Sequence, residues 1–571
     1  MDETDQMLAQ SANNAPPPPP RERALPRRDV SAQVLDRIRA GLSQWRLTSS
    51  LAEIGLGPTA GETVTVIPTD NWPGDATVGT ELIQGILHFH AQTIQLDSPN
   101  WEPIGATPAF LTALHGFDWL RDLKTLGGDV ARRQARLMVR SWIEHNGSWS
   151  PLPWDAPVLG QRLANWLSMY DFFCATADDE FRTLVFDSLR RQARHLARTF
   201  GGTPPGFGRL VALKGLFFSG VCLPKGEARL ALALRLLGPE LNAQVLGDGG
   251  HAERNPVALL NALRQLIEIR NVLRAGSQEV PEKLQHAIDR MTPALRFFRH
   301  ADGSLALFNG GREGDSALIE AVLTQSDARG KPLKSMTHSG FERITAGRTA
   351  VLVDCGSPPA AGFDAHAYAG PLAFEVSVGR DRMIVNCGAH PSELPSWRRA
   401  LGATAAHSTL TLNDTNAVEL TAYGMGRKPE MVACTRQEEN GAIWLELGHD
   451  GYTHLFQTTV FRRIYVGTSG EDVRGEDALE GPAGHNFAIR FHLHPSVQAS
   501  LIQQGQAVLL ALPSGGGWRM RATGGSLSLE ESIYAGRGDE PRRSLQIVIS
   551  GTTSADQTVV KWALQREKRS S

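Results

Sequence analysis

The sequence predicts an α+β fold, in which a helical half precedes a half made of antiparallel strands. Apolar residues recur at helical spacing in the region from 29 to 310. From 311 to 560 the chain instead shows short β-branched runs, which Gly, Asp and Asn turns separate. A length of 571 residues also exceeds what a single hydrophobic core normally holds. Two large domains with these bounds are therefore expected.

The helical half contains several segments whose apolar residues fall on one face. In the segment 129–145 these residues are Val130, Leu137, Met138, Trp142 and Ile143. The segment 161–173 shows a similar stripe. Asn255 and Pro256 mark the start of a further helix, because Asn caps a helix well and Pro suits its first position. Helices in series, with Gly/Pro-rich loops between them, predict helical hairpins packed in a ring or bundle.

The second half contains short runs that read as strands. They cover 349–355, 374–378, 383–385, 408–412, 443–447, 458–466, 487–494, 507–512 and 544–550. Their number and their turn residues predict a large antiparallel β-domain of stacked sheets.

Composition excludes several classes of protein. A net charge of −2 argues against bulk nucleic-acid binding. No stretch reaches the ~20 apolar residues of a membrane span, and the acidic start has no apolar core of a standard secretory signal. Residues 1–28, with the proline run at 16–20, predict a disordered tail. The five cysteines form no CxxC pair, which favours reduced, buried thiols.

A histidine and a tyrosine stand two residues apart just before the predicted strand 374–378. If His366 and Tyr368 lie on an extended chain, both side chains point to the same face. Imidazole and phenol form a plausible acid/base set for removing a proton from carbon. The pair is therefore the first candidate for catalysis.

Several further segments occur in a characteristic order. They are Phe117-Asp-Trp-Leu120, Arg162-Leu-Ala-Asn-Trp166, the run 247–256, Ala406-His-Ser-Thr-Leu410 and Arg490-Phe-His-Leu-His-Pro495. Together with the stretch from His366, this series resembles the heparinase II/III-like polysaccharide lyases. The resemblance implies an incomplete α/α-toroid followed by an antiparallel β-sandwich. It also implies β-elimination of an acidic, uronate-containing polysaccharide in the cleft between them, without an organic cofactor.

The resemblance assigns roles to residues of the β-domain. His366 takes the position of the family's catalytic histidine. Three further positions usually bind a structural zinc ion, and here they hold Tyr368, Asn386 and His407. Only His407 retains a ligand type of the family's set, and zinc usually needs about four ligands. No metal is therefore expected.

The helical domain departs from the family as well. Ala258 stands where the family has its tyrosine, and Lys214 is the nearest polar candidate for the family's Asn-His element. One hypothesis is a rebuilt site, in which Tyr368 supplies the phenol beside His366. His251, Arg254 and Asn255 then bind the substrate, with Arg254 holding the uronate carboxylate bidentately.

Other interpretations stay open. The main alternative is a catalytically inactive, glycan-binding relative. A hydrolase would need two flanking carboxylates, and Asp248, Glu253, Asp364 and Glu375 offer no distinctive pair. His366, Tyr368, His251 and Arg254 each also have a structural explanation, respectively a backbone hydrogen bond, packing, helix capping and a salt bridge. His492 and His494 share a strand face and are a further candidate for metal binding. The resemblance places the protein in the cell envelope or periplasm, whereas the missing signal favours the cytoplasm.

Overall fold

The structure, a computed structural model, describes residues 63–392 and 394–567. The tail predicted at 1–28 lies outside the described residues. Within them, a helical region is followed by two large antiparallel sheets. The described helices are all too short or too polar to cross a membrane.

Twelve helices precede the large sheets in the part of the chain that the structure describes. They are α1 (Ala76–Ile83), α2 (Pro108–Gly116), α3 (Leu120–Leu126), α4 (Gly128–Asn146), α5 (Ala156–Ser168), α6 (Tyr170–Cys174), α7 (Asp179–Thr199), α8 (Phe207–Cys222), α9 (Glu227–Gln244), α10 (Pro256–Ala275), α11 (Glu282–Phe298) and α12 (Ser316–Gln325). A small hairpin, β1 (Ile86–Phe89) and β2 (Gln92–Gln95), follows α1.

Local sequence explains where these helices begin. The side chain of Asn255 accepts hydrogen bonds from the backbone N–H groups of Val257 and Ala258, and Pro256 occupies the first position of α10, as predicted. Asp178 caps α7 by accepting from the N–H of Phe181. Helix α8 is buried along most of its length and packs on α5, α9 and α10, which makes it an inner helix of the ring. The predicted incomplete α/α-toroid is confirmed.

Among the described residues, the β-domain contains two large sheets, a separate two-stranded sheet and two short helices, α13 (Pro395–Leu401) and α14 (Thr453–Phe456). Its strands are β3 (Ser335–Met336), β4 (Phe341–Ala346), β5 (Thr349–Asp354), β6 (Phe374–Val378), β7 (Asp381–Val385), β8 (Leu410–Leu412), β9 (Leu420–Thr421), β10 (Gly424–Met425), β11 (Val432–Glu439), β12 (Ala442–Tyr452), β13 (Thr458–Val466), β14 (Asp472–Glu480), β15 (Asn486–Leu493), β16 (Gln498–Ile502), β17 (Ala507–Ala511), β18 (Gly517–Thr523), β19 (Ser526–Tyr534), β20 (Arg542–Thr552) and β21 (Gln557–Arg566).

The two large sheets form the predicted β-sandwich. One has the order β11-β12-β13-β14-β21-β18-β17-β16. The other has the order β19-β20-β15-β7-β6-β5-β4-β3, and β8 adds to it by pairing with β15. Buried aromatic and aliphatic residues fill the space between them, and the ring of Phe374 stacks on that of Trp562 at 5.6 Å. The α+β fold is confirmed.

The second sheet also packs against the toroid. Phe341 of β4 and Leu352 of β5 belong to the same buried cluster as Phe298 of α11, and the rings of Phe298 and Phe341 meet edge to face at 4.9 Å. The loop between β5 and β6 therefore starts at the boundary between helices and strands. That loop carries His366 and Tyr368.

Candidate functional site

His366 lies in the loop between β5 and β6 with its side chain exposed. Gly310 packs beneath it, and a Cβ added at Gly310 would lie 2.9 Å from the His366 carbonyl oxygen. Glu253 is close enough to interact with the imidazole electrostatically. Burial raises the pKa of Glu253, and the interaction with His366 opposes that rise. A solvent-accessible imidazole thus lies within electrostatic range of a carboxyl group from the toroid.

Tyr368 has the opposite environment. The loop has no regular strand at this point, so the alternation of an extended chain does not place the two side chains together. Tyr368 is buried and packs edge to face on His407, with ring centroids 6.0 Å apart. It belongs to a small apolar cluster with Cys387 and Leu401. Its ring therefore contributes to packing inside the β-domain.

Arg254 is committed to the β-domain. Its Nε donates to the carbonyl of Ser339 at 2.6 Å, and Nη2 donates to Gly340 and to the carboxylate of Asp354. The guanidinium also lies over the ring of Phe341, 4.6 Å from its centroid. Only 7% of the residue is exposed. These contacts connect the toroid to β4 and β5.

His251 and Asn255 are held in the same segment. The backbone N–H of Glu253 donates to Nδ1 of His251, so Nε2 carries the proton and donates to Gln244 Oε1 at 3.0 Å. Burial lowers the pKa of His251 to about 4. Asn255 caps α10 and donates to the carbonyl of Asn309 at 2.9 Å. Among the described residues, neither side chain forms a hydrogen bond with His366.

The donor set at the family's zinc position does not fit a zinc ion. Asn386 accepts from the backbone N–H of Ser408 at 3.0 Å and its amide nitrogen lies 3.4 Å from Glu375. His407 donates from Nδ1 to the carbonyl of Ala403 at 2.8 Å, and burial lowers its pKa to about 4. With the phenol of Tyr368, the set offers one imidazole and no thiolate or carboxylate. Within residues 63–392 and 394–567, no group of three metal-binding side chains was found.

An ion network occupies the interior of the toroid. Lys214 of α8 is fully buried, and its Nζ donates to Glu268 at 2.7 Å and to Gln161 at 2.9 Å. Glu268 also accepts from Arg264 Nε at 2.9 Å. Burial lowers the pKa of Lys214. The nearest polar candidate for the family's Asn-His element is therefore paired within the helices.

Three of the four carboxylates considered for hydrolysis are held by contacts within the protein. Glu375 is completely buried and accepts from His300 and from the backbone of Leu307, both at 2.9 Å. Asp364 is paired with Lys428 at 2.8 Å. Asp248 accepts from the backbone of His338 and Ser339. These contacts are structural in kind.

His492 and His494 do not form a metal site together. His492 contacts Ser532 Oγ from Nδ1 at 2.8 Å and the Ala405 carbonyl from Nε2 at 3.0 Å. His494 follows the end of β15 and bonds Ser496 through Nδ1 at 2.7 Å. Ser532 was not singled out from the sequence. No local motif surrounds it, and only the fold brings it to His492.

Comparisons with known proteins agree with the architecture. The model of the heparinase II/III N-terminus matches residues 132–328, and that of the heparinase II/III-like C-terminal region matches residues 328–563. FtsZ-localized protein C of Caulobacter vibrioides (strain NA1000 / CB15N) is 33% identical over 524 residues, which cover 87% of this chain and 89% of the relative.

Solved structures of lyases share the fold. A crystal structure of heparinase III has a TM-score of 0.72 at 14% identity and covers 94% of this chain and 91% of its own. Heparan sulfate lyase HepC from Pedobacter heparinus has a TM-score of 0.60 at 15% identity, with 100% and 91% covered. At these identities the likeness concerns the fold alone.

Proposed function

The chain belongs to the heparinase II/III-like family, and from this premise we propose that it binds an acidic glycan at the cleft around His366 without eliminating it. The proposal concerns a polysaccharide lyase-like protein whose fold is retained and whose elimination machinery is not. One observation carries it, namely the commitment of Arg254 to Asp354 and to two backbone carbonyls.

β-Elimination places three demands on a site. The uronate carboxylate must be neutralised, a base must take the proton at C5, and an acid must protonate the leaving oxygen. Arg254 is the cation that the sequence offers for the first demand, Lys214 is the nearest polar residue to the family's Asn-His element, and each is buried in an ion pair. Arg254 is 7% exposed, and its Nε and Nη2 already donate to Ser339, Gly340 and Asp354, so little of the guanidinium is left to hold a second carboxylate bidentately.

The site also lacks a complete set of catalytic acid and base for elimination. Tyr368 is packed against His407, and Ala258 provides no phenol from the toroid. His366 alone is exposed among the predicted catalytic and substrate-binding residues near the cleft. An exposed imidazole beside a partly buried carboxyl group can bind hydroxyl and anionic groups of a sugar, which supports recognition without chemistry.

Elimination of an acidic polysaccharide remains the second candidate. The observation that favours it is the position of His366, which is that of the family's catalytic histidine and is open to solvent. Glu253, a carboxyl group of the toroid, lies within electrostatic range of this imidazole. In this candidate the neutralising cation comes from a rearrangement that frees Arg254.

The name of the Caulobacter relative points to a place of action. We propose that this chain is likewise located with FtsZ. The identity of 33% over most of both chains supports the transfer. A fluorescent fusion imaged together with FtsZ tests it, and a diffuse signal in dividing cells would contradict it.

One experiment separates binding from elimination. The purified chain is titrated with a panel of uronate polymers by calorimetry, and the same mixtures are followed for the ultraviolet absorbance of an unsaturated uronate. We expect heat of binding without an absorbance rise, and weaker binding in His366→Ala. The matched control is His286→Ala, which changes another exposed histidine on α11. An absorbance rise that His366→Ala abolishes would establish the second candidate and refute the first, and a panel with neither signal would refute both.

A further inference from the structure

A separate pocket of about 730 Å³ opens on the β-domain. Its polar lining includes Cys387 and His492, which are buried and form the floor, with Ser532 beside them and Ser544 and Gln546 also at the pocket. The walls are largely apolar and come from Ala400, Leu401, Ala405, Ala406, Val497, Ile533 and Leu545. A concave apolar site with a few convergent polar groups is the usual form of a small-molecule site.

His492 lies between a nucleophile, the hydroxyl of Ser532, and an orienting acceptor, the backbone carbonyl of Ala405, and is placed to act as a base. Nε2 of His492 lies 3.0 Å from the carbonyl oxygen of Ala405, which can only accept, so Nε2 carries the ring proton. Nδ1 therefore has a free lone pair, and it accepts the hydroxyl of Ser532 at 2.8 Å. This is the hydrogen-bond order of a serine and its base in acyl transfer.

The strands hold these groups in place. His492 lies on the central strand β15, whereas Ser532 lies on the edge strand β19. The imidazole is almost completely buried and the serine is half-buried at the pocket floor. Cys387 lies beside the pair, with Sγ 3.5 Å from Nδ1 of His492 and 3.9 Å from Oγ of Ser532. The base is thus rigid, and the serine is the group that solvent and ligands can reach.

The rim of the pocket carries a free cation. Arg543 is exposed, and within the described part of the chain its guanidinium takes part in no ion pair or hydrogen bond. Its register partner is Ile533, so Arg543 and Ser532 start from opposite faces of the sheet, and the lining of this edge pocket is what they share. Glu531 stands elsewhere on the same rim. A guanidinium at the rim of the pocket that contains the nucleophile can hold a carboxylate of a ligand bidentately.

We propose that Ser532 and His492 form an acyl-transfer dyad that hydrolyses small carboxylic esters whose alcohol part bears an anionic group. Oγ of Ser532 attacks the ester carbonyl while Nδ1 of His492 takes its proton. The C–O bond of the ester breaks, and the departing alcohol receives that proton. Water then attacks the acyl-serine with His492 as base again, which releases the carboxylic acid and restores the serine. An O-acylated acidic sugar has this chemistry.

The test uses the native full chain. A fluorophosphonate probe is added, and the modified residue is located by mass spectrometry of the digested protein. We expect one label per chain, on Ser532. Labelling of Cys387, of scattered serines, or of no residue overturns the proposal without the need for a variant.

Activity and specificity are then measured with acetylsalicylate, whose phenol part carries a carboxylate, and with phenyl acetate. Ser532→Ala is expected to lose at least tenfold in kcat/KM on both esters, whereas Ser528→Ala on the same strand is the control and keeps the rate. Arg543→Ala is expected to raise KM for acetylsalicylate several-fold and to leave phenyl acetate unchanged. Hydrolysis that persists in Ser532→Ala overturns the dyad.

Discussion

Arg254 on the toroid side and Asp354 at the end of β5 form a buried ion pair across the boundary between the two domains. The backbone at Arg254 has a positive φ of 53°, which turns its side chain towards β4 and β5. Asp354 accepts in addition from Asn309 at 3.1 Å. The loop that follows Asp354 carries His366, so the ion pair holds the start of this loop against the toroid.

The first prediction concerns the stability that this pair provides. Replacement of Arg254 by Met leaves the carboxylate of Asp354 buried with only neutral donors. Loss of one partner of a buried pair costs about 3 to 5 kcal/mol. Urea unfolding should therefore show a free energy of unfolding lower by that amount. The double variant Arg254→Met/Asp354→Leu should recover much of the loss, because it removes the unpaired charge.

The control for this prediction is Arg132→Met, which breaks an exposed pair with Asp129 on α4. Exposed pairs contribute about 0 to 1 kcal/mol. If Arg254→Met unfolds at the same urea concentration as this control, the buried pair does not stabilise the fold. Arg254 is then again a candidate ligand for a substrate carboxylate.

The second prediction tests the ion network inside the toroid. Replacement of Glu268 by Gln leaves the ammonium of Lys214 fully buried without its 2.7 Å carboxylate partner. We expect the free energy of unfolding to fall by about 3 to 5 kcal/mol. Glu282→Gln, at an exposed position of α11, is the matched control. Equal thermal unfolding of the two variants would contradict the network's structural role.

The sequence predicted the fold well because its signals are local. Asn255 and Pro256 mark the start of α10, and the strand 458–466 was predicted with its observed bounds. Edge strand β11 was not predicted from the sequence. Most of its residues are polar or charged, and none of its side chains is fully buried, so the strand lacks the apolar alternation that marks the other strands. Val130 and Leu137 belong to the apolar stripe predicted for α4, yet about half of the surface of each residue is exposed. The apolar stripe of this helix is therefore wider than the face that it buries.

The candidate site was less accessible to sequence reasoning. The distance between Arg254 and Asp354 along the chain is 100 residues, and no local pattern reports such a pairing. The i, i+2 argument for His366 and Tyr368 needed an extended backbone that the loop does not have. Ser532 and His492 likewise meet only through the order of the strands in the sheet.

The third prediction restores a metal site. Tyr368→His together with Asn386→Asp would place the family's ligand types next to His407, whose Nδ1 is bonded to Ala403 and whose Nε2 is therefore the free ring nitrogen. Three protein ligands suffice for zinc when water takes the fourth position. We expect the double variant to bind one Zn²⁺ per chain in a competition assay with a chromogenic chelator.

The unmodified chain and the variant Tyr423→His, which changes an exposed tyrosine, serve as controls for metal uptake. Zinc binding by the double variant no stronger than by Tyr423→His would show that the three positions do not converge as the family's do.

The last prediction is a loss of stability at mildly acidic pH. Burial lowers the pKa of five nearly inaccessible histidines from 6.5 to about 3 or 4; they are His115, His251, His407, His449 and His492. Because these groups bind protons in the unfolded chain before they do so in the folded one, their contribution is complete above pH 6.5 and is lost as the pH falls towards 4. At pH 5 each costs about 2 kcal/mol.

The sum over five histidines is comparable to the roughly 5 to 15 kcal/mol that stabilise a typical domain. The unfolding free energy from urea titrations should therefore fall steeply between pH 7 and pH 5. The variant His449→Gln removes one buried imidazole and should make that slope shallower by about one proton. A free energy of unfolding that stays constant over this range would contradict the prediction. It would mean that the folded and unfolded chains bind the same number of protons between pH 7 and pH 5.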